Sequence, residues 1–426
     1  MWMLFAWEDP EESKKYKSPK NFLPPNVRFS ALLPARHEEK VIFDTIKAVS
    51  DIDYPEDLKE IIVLCRGDDE ETIREVNKSI EGLGKNNIRL LIFNDLPINK
   101  PHGLNIGLRN TSRQEINIDI LSDKKSNDIY NSNQVITIFD AEDQPHRDIY
   151  NVVNTLMTSE PIDVVQSGVQ LMNFRSKWFS SINVLEYFFW FKSGLPFYTK
   201  IGNVTPLGGN TVFVKKEYLD MIGGWDENCL TEDADIGIRL VNKGARVRVV
   251  YDEEHVTREE TPESVQEFIK QRTRWNQGFL QILMKGDWVH LPQMKQKFMA
   301  LYTLIAPFVQ MIFLLYIPIG TWIALSYKLP MIVSMLSFVP SLLFLLQITF
   351  YLVGIYEFTR VYGIKYSIRD SLNILIAFFP YQIMLAISSV RAVQRLVSGQ
   401  LLWEKTTHNN AHRSIPLGVP AYVEAN

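Results

Sequence analysis

The stretch Val135-Ile-Thr-Ile-Phe139-Asp140-Ala-Glu142-Asp143-Gln-Pro145 decides how the first two thirds of the chain folds. Five apolar or β-branched residues run into three carboxylates within four positions, the pattern of a buried strand that ends in an acidic loop. Carboxylates so crowded repel, and a hard divalent cation that also holds phosphate oxygens relieves the repulsion. An isolated acidic loop is more often solvated or capping a helix; its place at a strand end makes cation binding an equally good reading.

Outward from this strand, the chain alternates short β-rich runs with amphipathic stretches. The strands expected are Arg28–Leu33, Glu60–Cys65, Ile88–Phe93, Val135–Phe139, Val164–Gln166, Thr211–Val214 and Arg246–Val250. Between the first three, Glu38–Ser50 and Glu70–Ile80 place apolar residues at helical spacing. Strand-helix-strand units of this kind require right-handed crossovers and a mostly parallel, Rossmann-like α/β sheet, with ligands bound beyond the carboxyl ends of the strands. Asn110–Asn133, rich in Ser, Asn, Lys and Asp, is expected to be a mobile surface insertion.

The 426 residues carry 46% apolar side chains and a net charge of -4. That charge excludes a generic nucleic-acid binder, which needs a basic face. Cys65 and Cys229 are too few for a disulfide framework and suit a reducing compartment. The average composition conceals two materials, because charge is concentrated between Glu8 and Arg274 while apolar runs dominate from about Phe298. The expected division is a leader or linker over 1–26, a cytoplasmic catalytic domain over 27–297, a membrane region over 298–398 and a tail over 399–426. Met1–Trp7 is too short an apolar run for a signal peptide or a span.

Three stretches are long enough to cross a bilayer: 299–327, 331–356 and 371–396. Lys285, Lys295 and Lys297 before the first, and Arg360, Lys365 and Arg369 after the second, put the soluble domain in the cytoplasm at the inner or plasma membrane. Three crossings would leave the tail outside, whereas Arg391, Arg395 and Lys405 favour keeping it inside. Two readings stay open: the third stretch is re-entrant or interfacial, or there is a further span. Trp178–Phe191, aromatic but interrupted by polar residues, reads equally as an interfacial helix or as a core helix.

Three more motifs follow the acidic loop. Thr205-Pro-Leu-Gly208-Gly209-Asn210 permits close backbone approach to a ligand, or is an ordinary turn. In Thr231-Glu232-Asp233, the aspartate stands at a helix amino terminus, where a bare dipole interaction is the plainer reading. Gln271-Arg272-Thr-Arg274-Trp275 lies on a helix just before the first apolar stretch; Arg and Trp there are commonly membrane-edge anchors, and two guanidinium groups could instead clamp a pyrophosphate.

Taken in order, these pieces resemble the membrane-bound inverting family 2 glycosyltransferases, the superfamily of cellulose and hyaluronan synthases. The resemblance covers about Arg28–Trp275, and Trp403-Glu-Lys-Thr-Thr-His408 is similar to the tail motif of a bacterial subgroup. It implies a GT-A-type nucleotide-sugar domain followed by transmembrane helices. Residue by residue it implies that Pro34, Arg36 and Glu38 belong to the first nucleotide-binding loop and that Lys100 and Asn105, in a Lys-Pro-x-x-Leu-Asn segment, lie near the diphosphate. Asp140, with Glu142 or Asp143, matches the carboxylates for Mg²⁺ or Mn²⁺ and diphosphate. Asp233, beside Glu232, matches the general base. Gln271, Arg272, Arg274 and Trp275 match the Gln-x-x-Arg-Trp set, with Gly208 and Gly209 lining the donor.

The sequence departs from the family at two places. Cys65-Arg66 replaces the early aspartate pair in register, so either Asp68 or Asp69 reads the nucleobase or caps a helix. The amino-terminal membrane helices of the polymer synthases are not expected. The resemblance thus implies a β-glycosyltransferase that uses a nucleotide sugar, UDP-sugar favoured, to extend a glycan or cell-surface polysaccharide. A second reading is transfer to a lipid acceptor; a third is a silent membrane subunit that binds nucleotide sugar or a partner synthase.

Overall fold

The computed structural model describes residues 2–111, 133–202, 207–327, 329–401, 404 and 410–414. Apart from its ends, the expected Asn110–Asn133 insertion lies outside the described residues, as does the 403–408 tail motif except Glu404. The strands are β1 (Arg28–Ala35), β2 (Lys59–Arg66), β3 (Ile88–Phe93), β4 (Gln134–Ile138), β5 (Val164–Ser167), β6 (Val169–Leu171), β7 (Val212–Lys215), β8 (Val247–Val250) and β9 (Thr257–Glu259). Seven of them form one sheet in the order β3-β2-β1-β4-β7-β5-β8, and β6 pairs with β9 in a second. Within the large sheet only β7 runs antiparallel to its neighbours.

Strict alternation along the strands explains the layering. Phe29, Ala31 and Leu33 with Ile61, Val63 and Cys65 point to one face, and Leu32, Ile62 and Leu64 to the other. The first face is covered by α3 (Ile42–Ser50), α4 (Glu70–Leu83) and α6 (Ile149–Ser159); the second by α5 (Lys100–Arg109), α9 (Lys216–Ile222) and α10 (Glu232–Asn242). Each fully buried Phe or Leu contributes about 1.5–3 kcal/mol before entropy is counted. A two-faced core is what near-continuous apolar strands require. The strand order reverses between β1 and β4, so the loops after Ala35 and Ile138 open a crevice at the carboxyl edge.

The helix expected from Glu38 starts only at Ile42, because Glu38 donates its N–H to Thr72 Oγ1 (3.0 Å) and His37 adopts φ 55°. The segment read as a leader forms α1 (Phe5–Glu8) and α2 (Pro10–Lys14), and Phe5 and Tyr16 are buried against the body. Phe5 packs edge-on against Tyr16 and Phe197, and Tyr251 donates its N–H to Tyr16 O at 2.7 Å. Trp178–Phe191 yields α7 (Ser180–Phe189), a core helix with Phe188 and Phe189 fully buried. A further helix, α8 (Leu195–Gly202), follows it.

Beyond α11 (Val265–Lys285) come α12 (Met294–Ser326), α13 (Met331–Ser337), α14 (Val339–Val361) and α15 (Ile368–Val397). The helices α12, α14 and α15 are long and apolar enough to cross a membrane. Yet α15 touches the α/β body along its whole length. Asp370 near its start forms a bidentate pair with Arg175 (2.7 and 2.9 Å), Ser389 accepts from Asn276, and Arg395 near its end donates to Gln277 (2.9 Å). Its outer stripe of Leu372, Ile376, Phe379, Ile383, Ile387 and Val390 is exposed, while Tyr381, Gln382, Ser388 and Arg395 are buried.

Candidate active site

Lys100 is the hub of the crevice. Asn99 caps α5 by accepting the His102 N–H (2.9 Å), which fixes the lysine in the first turn. Its Nζ lies 2.5 Å from Asp140 Oδ1 and 3.7 Å from Glu232 Oε1, and donates to Gly209 O at 3.1 Å. Burial alone would lower the ammonium, but Asp140, Glu232 and Asp233 outweigh it, and its pKa is raised. One side chain thus joins three motifs that are far apart in the chain.

Glu232 and Asp233 open α10, where the helix dipole favours negative charge. Asp233 Oδ1 accepts the Ala234 N–H at 2.8 Å. Burial pushes Glu232 up to about 7, partly opposed by Lys100; Asp233 is also raised by burial, against the Ala234 N–H, Lys100 and Arg274. A Cβ on Gly209 would stand 3.3 Å from Asp233 Oδ2 and 3.5 Å from Lys100 Nζ, so the glycine keeps this corner open. Gly208 donates its N–H to Gln166 Oε1 (2.7 Å), which anchors the loop.

The acidic loop divides into an outer and an inner part. Asp140 and Glu142 are partly exposed, but Asp143 is fully buried beneath them. Its Oδ2 accepts the Asp140 N–H (2.8 Å), its Oδ1 accepts from Asn210 Nδ2 (2.8 Å), and it is hydrogen-bonded to Glu259. Asn210 also donates to Glu259. Burial, then Glu259 and the neighbouring carboxylates, raises Asp143 well above the ordinary range; burial and Glu142 push Glu259 up to about 7. Expected as a metal ligand, Asp143 instead has both oxygens engaged by protein donors, because it ties the loop to β9 and Asn210. Neither Glu259 nor Asn210 was among the expected site residues, although Asn210 directly follows the glycine pair.

The helix α11 carries the Gln271–Trp275 motif, and its residues separate. Arg274 lies on the side of Glu232 and Asp233, whose carboxylates it stabilises. Arg272 turns the other way, to Glu186 Oε2 (2.6 Å) and Asn183 Oδ1 (2.7 Å), with its guanidinium 4.7 Å from the Trp275 ring. Expected at the diphosphate, Arg272 is instead drawn to Glu186, whose carboxylate also accepts from Tyr381 on α15. Gln271 and Trp275 are half-buried on the same helix. Gly278 lets α11 press on the Thr231 loop: a Cβ there would overlap Thr231 Oγ1 and stand 2.7 Å from its backbone nitrogen.

At the carboxyl end of β1, Pro34 is next to last and in register with Leu64, and Arg36 lies 3.7 Å from Asp68. Asp68 is half-exposed and also pairs with Arg66 (3.2 Å). Asp69 is buried; it caps α4 and accepts the His37 N–H at 2.6 Å. Burial would raise it, but the His37 and Thr72 donors hold it below the usual carboxylate range. Asn105 lies buried behind the crevice, exchanging hydrogen bonds with the Trp225 backbone (2.8 and 2.9 Å) and donating to Glu227 (2.9 Å). The chain end also returns here: Arg413 donates to Asp143 O and Thr45 Oγ1, both at 2.9 Å.

A sequence model described as glycosyltransferase like family 2 matches residues 24–278, which contain every residue above except Tyr381 and Arg413. The chain belongs to this glycosyltransferase family. It is 25% identical over 397 residues to a probable glycosyltransferase, YdaM, of Bacillus subtilis, covering 91% of this chain and 88% of that protein. It is 25% identical over 277 residues to a poly-beta-1,6-N-acetyl-D-glucosamine synthase of Staphylococcus epidermidis, covering 65% of this chain and 59% of the relative. The mannosyltransferase PcManGT of Pyrobaculum calidifontis, solved with GDP-Man and Mn²⁺, superposes with a TM-score of 0.53 at 16% identity, covering 94% of this chain and 95% of that one. The catalytic domain of this family 2 glycosyltransferase therefore has the GT-A fold.

Proposed function

We propose that the enzyme transfers a sugar from a nucleotide-sugar donor, UDP-sugar favoured, to a glycan at the membrane, with inversion at the anomeric carbon. The observation that carries this is the Lys100 ammonium held between Asp140 and the Glu232–Asp233 pair, which brings a cation and a base into one crevice. Asp233, raised by burial yet facing Lys100 and Arg274, is suited to take the proton of the incoming hydroxyl. Lys100 and Arg274 would stabilise charge on the leaving diphosphate. Arg36 and the half-exposed Asp68 border the nucleotide end.

The outer carboxylates fit a hard divalent cation, being all-oxygen donors at a strand end that already attract an ammonium. Asp140 and Glu142 would hold Mg²⁺ or Mn²⁺, which when bound neutralises diphosphate charge. Asp143 would support the loop from beneath. The names of the relatives support a polysaccharide product.

One observation favours a lipid or lipid-anchored acceptor as a second reading: α15, whose outer face is an exposed apolar stripe, packs by its other face against α11, which carries Trp275. We read α15 as an interfacial helix, so that α12 and the α13–α14 segment cross while both ends of the region stay on the catalytic, cytoplasmic side. Single cysteines at Leu325 and Ser398 test this in sealed vesicles. A membrane-impermeant thiol reagent should label them from opposite sides; labelling from one side would refute the arrangement.

The catalytic reading is tested by supplying purified protein in lipid with UDP- and GDP-sugars, with Mg²⁺, Mn²⁺ or chelator, and measuring nucleoside diphosphate release. We expect metal-dependent release from one donor, and a loss of about 10³-fold in Asp233→Asn with donor binding kept. Wild-type turnover in that variant would sink the base assignment, and no release from any donor would favour the silent-subunit reading. Chromatography of the radiolabelled product then separates polymer from glycolipid.

A further inference from the structure

Outside the crevice, two segments bring three side chains with metal-ligating chemistry together. One continues the acidic loop through Gln144 to Asp148; the other runs from Asp252 into β9. Their backbones already pair, since Gln144 and Arg258 exchange hydrogen bonds of 3.1 and 3.0 Å. Just beyond this bridge, His146, Asp148 and His255 each offer one ligand atom, and the three atoms lie within 4.8 Å of one another. The two imidazoles meet nearly perpendicular, centroids 4.8 Å apart, and Asp148 Oδ2 lies 3.8 Å from His146 Nδ1. All three residues are partly buried, and Phe22 covers His255 edge-on.

The mutual arrangement leaves bonding capacity unused. At His146 the Nδ1 lone pair accepts the Asp148 backbone N–H (3.2 Å), so a metal held by this imidazole replaces that long hydrogen bond. The Nδ1 of His255 is buried and has no hydrogen-bond partner among the described residues. A buried ring nitrogen without a partner is costly, and a metal ion is one way to satisfy it.

We propose that His146, Asp148 and His255 form a second metal site, for a borderline transition ion such as Zn²⁺, separate from the carboxylates of the crevice. Two imidazole nitrogens and one carboxylate oxygen select that class, whereas the all-oxygen Asp140 and Glu142 suit Mg²⁺ or Mn²⁺. Three protein ligands leave the remaining position to water. Because His146 lies four residues after Glu142 and His255 four before Glu259, the ion fastens the acidic loop to the strand that carries Glu259, the partner of Asp143. Its role is structural, and the site does not depend on the donor or acceptor.

The full-length protein, stripped with EDTA and returned to Mg²⁺ buffer, is loaded with Zn²⁺, desalted and counted for metal by mass spectrometry. Co²⁺ is titrated in parallel for its visible ligand-field band. Wild type and Asp140→Asn should retain one zinc per chain and show the band. His146→Gln and His255→Gln, on different segments, should each retain at least ~10-fold less and lack the band, with metal-free melting like that of wild type. Zinc should also raise the melting temperature of wild type and Asp140→Asn, but of neither histidine variant. A wild-type protein that retains no zinc, or either histidine variant that retains as much as wild type, would overturn the site.

Discussion

Two acid pairs, each with one buried and one partly buried member, lie within one enzyme and are treated differently. Glu232 and Asp233 share their surroundings with Lys100 and Arg274, whereas Asp143 and Glu259 have Asn210 and backbone N–H donors for company. Both pairs are pushed up by burial; Lys100 and Arg274 oppose it at both members of the first, whereas at the second Arg413 lies beside Asp143 and the neighbouring carboxylates outweigh it. An acid pair with cations nearby keeps negative charge available for chemistry. One held mainly by amide and backbone donors, with both members raised by burial, fastens the acidic loop to β9. The same residue types thus sit in two different electrostatic surroundings, set by the charges opposite them.

The comparison breaks most sharply if the cation is removed from the first pair. In Lys100→Met, Glu232 and Asp233 should behave more like Asp143 and Glu259, retaining protons to higher pH. We expect turnover at neutral pH to fall about 100-fold, the scale of losing one preorganised charge-stabilising donor. The acid limb of kcat/KM should move to higher pH, because loss of a neighbouring positive charge raises carboxylate pKa. A fall in turnover with an unmoved acid limb would mean that Lys100 acts only on the diphosphate and not on the pair.

Much of this was legible in the sequence, and the gaps have physical causes. The strand alternation at Phe29–Leu33 and Ile61–Cys65 gives both faces of the sheet, and Asp140 and Asp233 announce themselves by standing at a strand end and a helix start. Glu259 does not, because it lies on a three-residue strand more than a hundred positions from Asp143, and proximity across a sheet edge leaves no local pattern. Arg272 shows the same limit: the motif around it suggests phosphate, but Glu186 on a distant helix claims the guanidinium. The third apolar stretch was ambiguous because hydropathy averages around a helix. In α15 the outward stripe is apolar and the inward face carries aromatic, small and polar residues, a difference that length and mean hydropathy do not register. The packing of the N-terminal segment was not legible, because Phe5 and Tyr16 find partners that no short-range spacing reveals.

The smallest expected effect sharpens the other side of the comparison. Glu259 is pushed from its ordinary 4.5 up to about 7 in the folded protein, so between those values the native state binds more protons than the unfolded chain. The stability it contributes is full below about 4.5 and is lost as pH rises through about 7. Glu232 has the same sign and a similar range, so the wild-type melting temperature in detergent should fall across this window through both sites. In Glu259→Gln one of these slopes disappears: the amide can donate to Asp143 permanently while its oxygen still accepts from Asn210. The variant should therefore show a shallower decline in melting temperature from about pH 5 to about 8, with turnover closer to wild type than that of Lys100→Met. If its slope equals that of wild type, no proton is held between Asp143 and Glu259, and the distinction between a pair kept for chemistry and a pair kept as a fastener does not rest on protonation.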